Sequence, residues 1–201
     1  MKMRKRLNVS ASHGATRKDK DAEAHQAVVL VALTGTPGTG KRSVGAVLKQ
    51  KGYAVLDLDD IARREGCIVG RDDARGSDEL DIDLLRAKLH VPAKLEFLEG
   101  HYSHLMPVNI AVVLRCHPKT LGDRLRARGW PEAKVRENVE AEAIDVITQE
   151  AVARLTFVYE VDTTSASAAA SAQTVLELLQ GRTAGHEPGG VDWGTEVLSW
   201  Y

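Results

Sequence analysis

The apolar positions of this chain fall into short blocks with two different periods. The first block, AVVLVAL at 27–33, is continuous rather than alternating, which is the pattern of a strand buried on both faces. IAVVLR at 110–115 and FVYEV at 157–161 read the same way, and YAVLDL at 53–58 reads as a shorter strand. KLEFLE at 94–99 reads as a strand that ends in a carboxylate, with Glu96 interrupting its apolar run. Between the strands lie segments of helical character. They cover 41–51, stopped by Gly52, 60–65, stopped by Gly66, and 83–90. Three more follow: 118–128, stopped by Gly129; a long helix over 131–155, with Pro131 at the tolerated first position; and 168–179. The polar stretch 69–79, with Gly70 and Gly76, predicts a mobile loop. Strands alternating with helices predict an α/β fold, a parallel sheet covered by helices on both faces. Right-handed crossovers then put the turn after the first strand at the carboxyl end of that sheet.

The ends of the chain carry no such pattern. Residues 1–26 are polar, with a basic cluster at Lys2, Arg4, Lys5 and Arg6, and predict a disordered extension. The folded unit is expected over 27–180, with a C-terminal tail over 181–201. At 201 residues and 43% hydrophobic composition, one globular domain is the natural reading. A net charge of −1 points to no particular partner, so no DNA is expected. Cys67 and Cys116 stand far apart and outside any metal-type spacing, which fits free thiols in a reducing cytoplasm. No apolar run approaches the length of a membrane span, and no apolar stretch follows the basic N-terminus as a secretory signal requires.

The chemistry begins directly after the first strand, where residues 35–43 read GTPGTGKRS. Gly35, Gly38 and Gly40 let the chain turn tightly and present successive N–H groups inward, a nest suited to polyphosphate. Lys41 is placed to reach the β- and γ-phosphates, and the helix that starts there adds the positive end of its dipole. The usual pattern sets a hydroxyl right after the lysine to ligate Mg²⁺. Here Arg42 takes that place and the hydroxyl comes one residue later, at Ser43. A Mg²⁺ held mainly by phosphates and water is physically acceptable, because the ion keeps several waters readily.

A phosphate loop needs a partner acid at the end of another strand. Glu99 fits, and His101 and His104 follow it in the loop GHYSHLMP. A zinc site is not expected, since no third and fourth ligand stand in register. Arg124 and Arg128 are four apart and predict one shared helix face, with Arg126 pointing elsewhere. Arginines at a helix–Gly–helix junction suit a lid, which supplies donors to the transferred group and keeps water out. Lys134 and Arg136 continue the cationic run. Arg63, in DDIARRE, is the candidate for an acceptor phosphate, because a guanidinium fork donates two parallel bonds.

Taken in order and spacing, GTPGTGK, DDIARRE, EGHYSHLMP, VVLRCHP, RARGWPEAKVRENVEAEAIDVI and YEVDTT closely resemble the adenylate kinase isoenzyme 6 type. The match runs from about residue 27 to 179, and the tail Val191-Asp192-Trp193 is similar to the archaeal members. The resemblance implies a P-loop nucleoside monophosphate kinase fold, with a monophosphate-binding segment over 57–80 and a short lid over 127–137. It implies phosphoryl transfer from ATP to AMP or related monophosphates, and ATP hydrolysis. It also implies a part in maturation of the small ribosomal subunit, with a ribosomal protein as transient partner. By motif position, Gly38, Thr39, Gly40, Lys41, Arg42, Ser43 and Arg128 would bind ATP, and Arg63 and Asp57 the monophosphate. Lys41, Arg128, Glu99 and His101 would be catalytic, with Ser43 and Glu99 holding Mg²⁺ through water.

Two other readings stand beside this one. The chain could be an ATPase-type assembly factor with little kinase role, or a small-metabolite kinase on the same fold. A GTPase is disfavoured, because no N-K-x-D base-reading motif occurs.

Overall fold

A computed structural model of the chain describes residues 29–72, 77–90 and 96–198. The predicted N-terminal extension, the tip of the predicted 69–79 loop and the start of the strand predicted over 94–99 lie outside the described residues.

Five parallel strands form the central sheet: β1 (Leu30–Thr34), β2 (Ala54–Asp57), β5 (Glu96–Glu99), β6 (Ile110–Arg115) and β7 (Phe157–Asp162). Their spatial order is β2-β5-β1-β6-β7. β1 is central, and every one of its residues is buried, as its unbroken apolar run predicts. Its side chains alternate between the two faces. Leu30 and Ala32 join a core with Leu58, Ile61, Leu85 and Ala151. Val31 and Leu33 join the opposite core with Val44, Leu48, Ala172 and Val175. The helices supplying these partners are α1 (Lys41–Gln50) and α7 (Ala168–Leu179) on one face. On the other are α2 (Leu58–Arg64), α3 (Ile82–Lys88) and α6 (Val146–Val152). Truncating a side chain such as Leu33 to Ala would cost about 2–5 kcal/mol.

A third, smaller cluster lies between α4 (Pro118–Arg126) and α5 (Glu132–Ala143), built on Cys116, Leu121, Leu125 and Val135 with Trp130 and Val139 against it. It seats the segment that carries Arg128 and Trp130.

The structure corrects three expectations. The segment expected as a mobile loop contains an antiparallel pair, β3 (Ile68–Asp72) with β4 (Ser77–Leu80). Its charged composition hid the strands, because this pair stands apart from the main sheet and needs no apolar face. The single helix expected over 131–155 is two helices, α5 and α6, broken at Asp145, whose φ is 59°. Aspartate is one of the few residues that tolerate this left-handed conformation. Here its carboxylate is drawn to the Arg115 guanidinium. Arg124 and Arg128 do not share a helix face, because α4 ends at Arg126 and Arg128 lies beyond it.

The tail over 181–198 packs back on the edge strand. The Glu160 N–H donates to the His186 carbonyl at 2.8 Å. The His186 ring meets the Glu160 carbonyl at the same distance, so the tail occupies the strand's open hydrogen-bonding edge. A short helix, α8 (Gly194–Leu198), closes the described chain.

Candidate functional site

The turn from β1 into α1 is shaped by its glycines. At Gly35 a Cβ would lie 2.3 Å from the Leu114 carbonyl oxygen, so β6 leaves no room for a side chain. Gly40 caps α1 with φ 100°, a left-handed conformation, and no side chain bonds the first N–H groups of the helix. No acid stands in the first turn of α1. The loop therefore presents unsatisfied N–H groups and a positive helix end, as an anion site requires.

Lys41 folds back over this loop. Its ammonium donates to the Gly35 carbonyl at 2.6 Å and to the Thr36 carbonyl at 3.1 Å. Burial pulls its pKa down to about 8, against the opposing charges of Glu99 and Glu142. Thr36 and Thr39 are buried within the loop. The Thr39 hydroxyl donates to the Thr36 carbonyl at 2.9 Å, and the Thr163 hydroxyl donates to the Thr39 carbonyl at 2.7 Å.

A cleft of about 860 Å³ opens over the loop. It is lined by Gly38, Gly40, Lys41, Arg42 and Ser43 from the loop and α1, by Asp57, Asp59, Glu99 and His101, and by Arg128, Trp130, Lys134, Asn138 and Ile147. Parallel register explains the acids: Asp57 at the end of β2 pairs with Glu99 at the end of β5, so both carboxylates leave the sheet at one level. Burial, and then the Asp57 charge, push Glu99 above the usual carboxylate range. Gly45 of α1 faces Glu99, where a Cβ would lie 3.4 Å from the carboxylate oxygen. Burial and the Lys41 charge push His101 down to about 4, so its ring is neutral at pH 7.

Most of the residues singled out in the sequence are thus brought together. Gly38, Gly40, Lys41, Arg42, Ser43, Asp57, Glu99, His101 and Arg128 all line the cleft, and Thr39 lies buried beneath it. Arg42 is turned toward Asp57, at 3.6 Å, with its side chain 83% exposed. Asp57 also caps α2 by accepting from the Asp59 and Asp60 N–H groups. Arg63 is not brought to the cleft. It sits on the last turn of α2, largely exposed, 3.4 Å from Asp60. Arg124 serves the frame instead, donating to the Thr163 and Thr164 carbonyls at 2.8 and 3.0 Å. Arg126 pairs with Glu132 on the surface. His104 is buried, bridging the Thr34 hydroxyl (2.9 Å) and Glu150 (3.0 Å).

Sequence reasoning missed a buried ionic knot directly under the loop. Arg115, 1% exposed, ends β6 and bonds Glu142, Asp145 and Glu160. Burial works against its charge, but the three carboxylates outweigh that and raise its pKa. Glu160 also accepts from the N–H groups of Gly189 and Val191, which ties down the tail. An arginine closing an otherwise apolar buried strand was the one available signal. Asp59 was also missed. It receives the Tyr102 hydroxyl at 2.5 Å, which joins α2 to the loop after β5.

Three of the groups lining the cleft suit a hard divalent cation such as Mg²⁺: the Asp57 and Glu99 carboxylates and the Ser43 hydroxyl, all oxygen donors. The crowding of Asp57 and Glu99 is itself a reason for a cation to be favoured between them. No cluster of three or more His, Cys, Asp or Glu side chains placed to hold a metal occurs among the described residues. No described helix is long and apolar enough to cross a membrane.

Comparison with known proteins bears on the family and the fold. A family profile described as "AAA domain" matches residues 31–145. A protein of Archaeoglobus fulgidus named "Putative adenylate kinase" is 41% identical over 172 residues, covering 84% of this chain and 94% of its own. One of the same name from Methanothermobacter thermautotrophicus is 41% identical over 171 residues, covering 84% and 99%. Among solved structures, shikimate kinase from Acinetobacter baumannii superposes with a TM-score of 0.54 at 20% identity, over 81% of this chain and 99% of that one. Shikimate kinase from Bacteroides thetaiotaomicron gives 0.51 at 20% identity, over 76% and 98%. These structures share the P-loop kinase fold.

Proposed function

The chain belongs to the family of these archaeal adenylate kinase-like proteins, and from that premise we propose that it is a nucleoside monophosphate kinase, converting ATP and AMP to two ADP, with a basal ATPase activity. The observation that carries this reading is one cleft whose lining combines a phosphate-type loop, two strand-end acids and an arginine on a separate segment. Its volume of about 860 Å³ lies in the upper part of the range for small-molecule sites.

In this mechanism the loop N–H groups and Lys41 hold the β- and γ-phosphates of ATP. An acceptor phosphate oxygen attacks the γ-phosphorus, the bond to the β,γ-bridging oxygen breaks, and ADP leaves with that electron pair. Arg128 supplies donors to the charge spread over the transferred group. Glu99 and Ser43 would hold Mg²⁺ through water, and the ion would neutralise phosphate charge. Asp57 lines the cleft on the acceptor side, within a monophosphate-binding segment over 57–80, and Arg63, outside the cleft in this structure, would have to swing inward with that segment to meet the acceptor phosphate. Residues 127–137 act as the lid, hinged at Gly129, whose φ is 74°. Neutral His101 accepts or donates one hydrogen bond without adding charge.

The test is a panel of monophosphate acceptors assayed beside acceptor-free ATP hydrolysis. ADP formation from ATP and AMP, lost on Lys41→Ala, supports the kinase. If AMP neither accepts phosphate nor stimulates ATP turnover, the kinase reading is wrong.

One observation favours a second reading. Among the described residues, the lining of the cleft includes Asp57, Asp59 and Glu99, and Arg63 lies outside it. Carboxylates without that arginine suit activation of water better than capture of a second anion. On this reading the chain is an ATPase that acts in small ribosomal subunit maturation, attaching to and leaving a ribosomal protein as ATP turns over. Nucleotide-dependent capture of small-subunit proteins would support it, and no enrichment with any nucleotide would count against it.

A further inference from the structure

Glycine-rich loops bind phosphate well only when something outside them fixes their shape, because each glycine brings backbone freedom that binding must otherwise remove. Thr36 provides such an attachment. It follows Gly35 directly and is 3% exposed. Its hydroxyl donates to Glu142 Oε2 at 2.5 Å, reaching a helix 106 positions away in the chain. Its carbonyl accepts from Lys41 Nζ at 3.1 Å, from the Thr39 N–H at 3.2 Å and from the Thr39 hydroxyl at 2.9 Å. One residue thus joins the lysine and the middle of the loop to a carboxylate that belongs to neither.

Glu142 is itself held rigidly. It is 3% exposed, and its second oxygen accepts from Arg115 Nε at 2.8 Å and from the Cys116 N–H at 3.0 Å. Arg115 also donates to the Glu142 carbonyl at 3.1 Å, which pins the last turn of α5. Burying so many charges brings little net stability, since well-packed apolar residues would do as well. What the arrangement does supply is direction, because both carboxylate oxygens are committed and the Thr36 hydroxyl has one acceptor to meet.

We propose that Glu142 is a positioning residue for the phosphate loop: through the Thr36 hydroxyl it sets the orientation of the loop peptides that receive the donor triphosphate. The inference rests on the reading of that loop as the ATP site. It does not depend on which acceptor the protein uses.

Thr36→Val replaces the hydroxyl with a methyl of similar size, and Thr36→Ser keeps the hydroxyl. These two variants, with Glu142→Gln and the Thr36→Val/Glu142→Gln pair, are measured as full chains by calorimetric titration with ATP and, separately, with AMP. Thr36→Val should weaken ATP binding about fivefold to twentyfold and leave AMP binding within about twofold. Thr36→Ser should restore ATP affinity to within about twofold of the parent. With the Thr36 hydroxyl already gone, the change at Glu142 should cost less ATP affinity than it does in the parent, because part of its effect runs through that hydroxyl. A role limited to holding the fold would weaken ATP and AMP alike, and that result overturns the proposal, as does unchanged ATP affinity in Thr36→Val. If Glu142→Gln fails to fold, the Thr36→Val and Thr36→Ser pair decides alone. An unmodified protein that binds no ATP would instead overturn the assignment of the loop, a different failure that the same titration separates.

Discussion

The Lys41 ammonium lies 2.6 Å from the carbonyl of Gly35, six residues before it on the same loop. The lysine expected to reach phosphate therefore rests on its own turn, a desolvated cation held by two backbone carbonyls. Its lowered pKa of about 8 has a consequence for stability. The unfolded chain, with an ordinary lysine, binds the proton more tightly, so folding with Lys41 becomes more favourable as pH rises from about 8 to about 10.5. Against Lys41→Met, the parent should gain about 2–3 kcal/mol across that window, read from denaturant midpoints at each pH. A flat difference would show that the ammonium is well solvated. The same variant should lose ATP turnover by at least about a hundredfold.

Arg128 lines the cleft from beyond the end of α4, on the segment seated by Trp130 and Val135. A donor that acts on the charge in transfer contributes more to the transition state than to the ground state. Arg128→Ala should lower kcat about a hundredfold or more while weakening ATP binding by less than about fivefold. Equal losses in the two quantities would assign Arg128 to ground-state binding.

Gly45 faces Glu99 across a gap that one carbon just fills. Gly45→Ala should stabilise α1 by about 0.5–1 kcal/mol, since alanine is the better helix former. Gly45→Val adds branches that reach Glu99 and Val55, and should lower turnover about tenfold or more. Thermal midpoints and kcat for the two variants check this. Equal activity in both would mean that the Glu99 carboxylate can shift without consequence.

His101 should stay neutral well below its ordinary range, with an imidazole NMR titration midpoint near 4. The folded state resists the proton that the unfolded state accepts near 6.5, so this residue's contribution to stability is lost as pH falls from about 6.5 toward 4. His101→Gln should remove that loss and flatten the stability profile over this window. An unchanged profile would place the acid sensitivity elsewhere, with His104 the next group to examine.

Asp145 is the only non-glycine described residue with positive φ, and its carboxylate meets Arg115. Asp145→Ala removes the ion pair and keeps the strained backbone, and should cost about 2–4 kcal/mol. Asp145→Gly should recover about 1 kcal/mol of that by relieving the strain. Equal destabilisation by both would mean the backbone there is not strained.

Local chemistry explains which parts of this molecule could be read in advance. The continuous apolar run before Gly35 can satisfy its burial only between two layers, and β1 is buried at every position. The spacing of glycines and lysine at 35–41 depends on neighbouring backbone, so the loop and the N-terminus of α1 were legible, as was Glu99 at a strand end. Arg63 was harder, because a guanidinium at the end of a helix points where the helix is rotated, and α2 turns it to solvent. The β3–β4 pair and the break at Asp145 were not legible, since neither leaves a hydrophobic period.

The sequence alone thus determined the alternation of the main-sheet strands with helices, the glycine-rich loop and the family, because each depends on residues close together in the chain. Tertiary structure alone decided that Glu142 stands under Thr36, that Asp57 and Glu99 crowd one another, and that Arg115 gathers three carboxylates. Those contacts join positions separated by tens of residues. A buried charge must find its partners wherever the fold brings them, and no local pattern records where that will be.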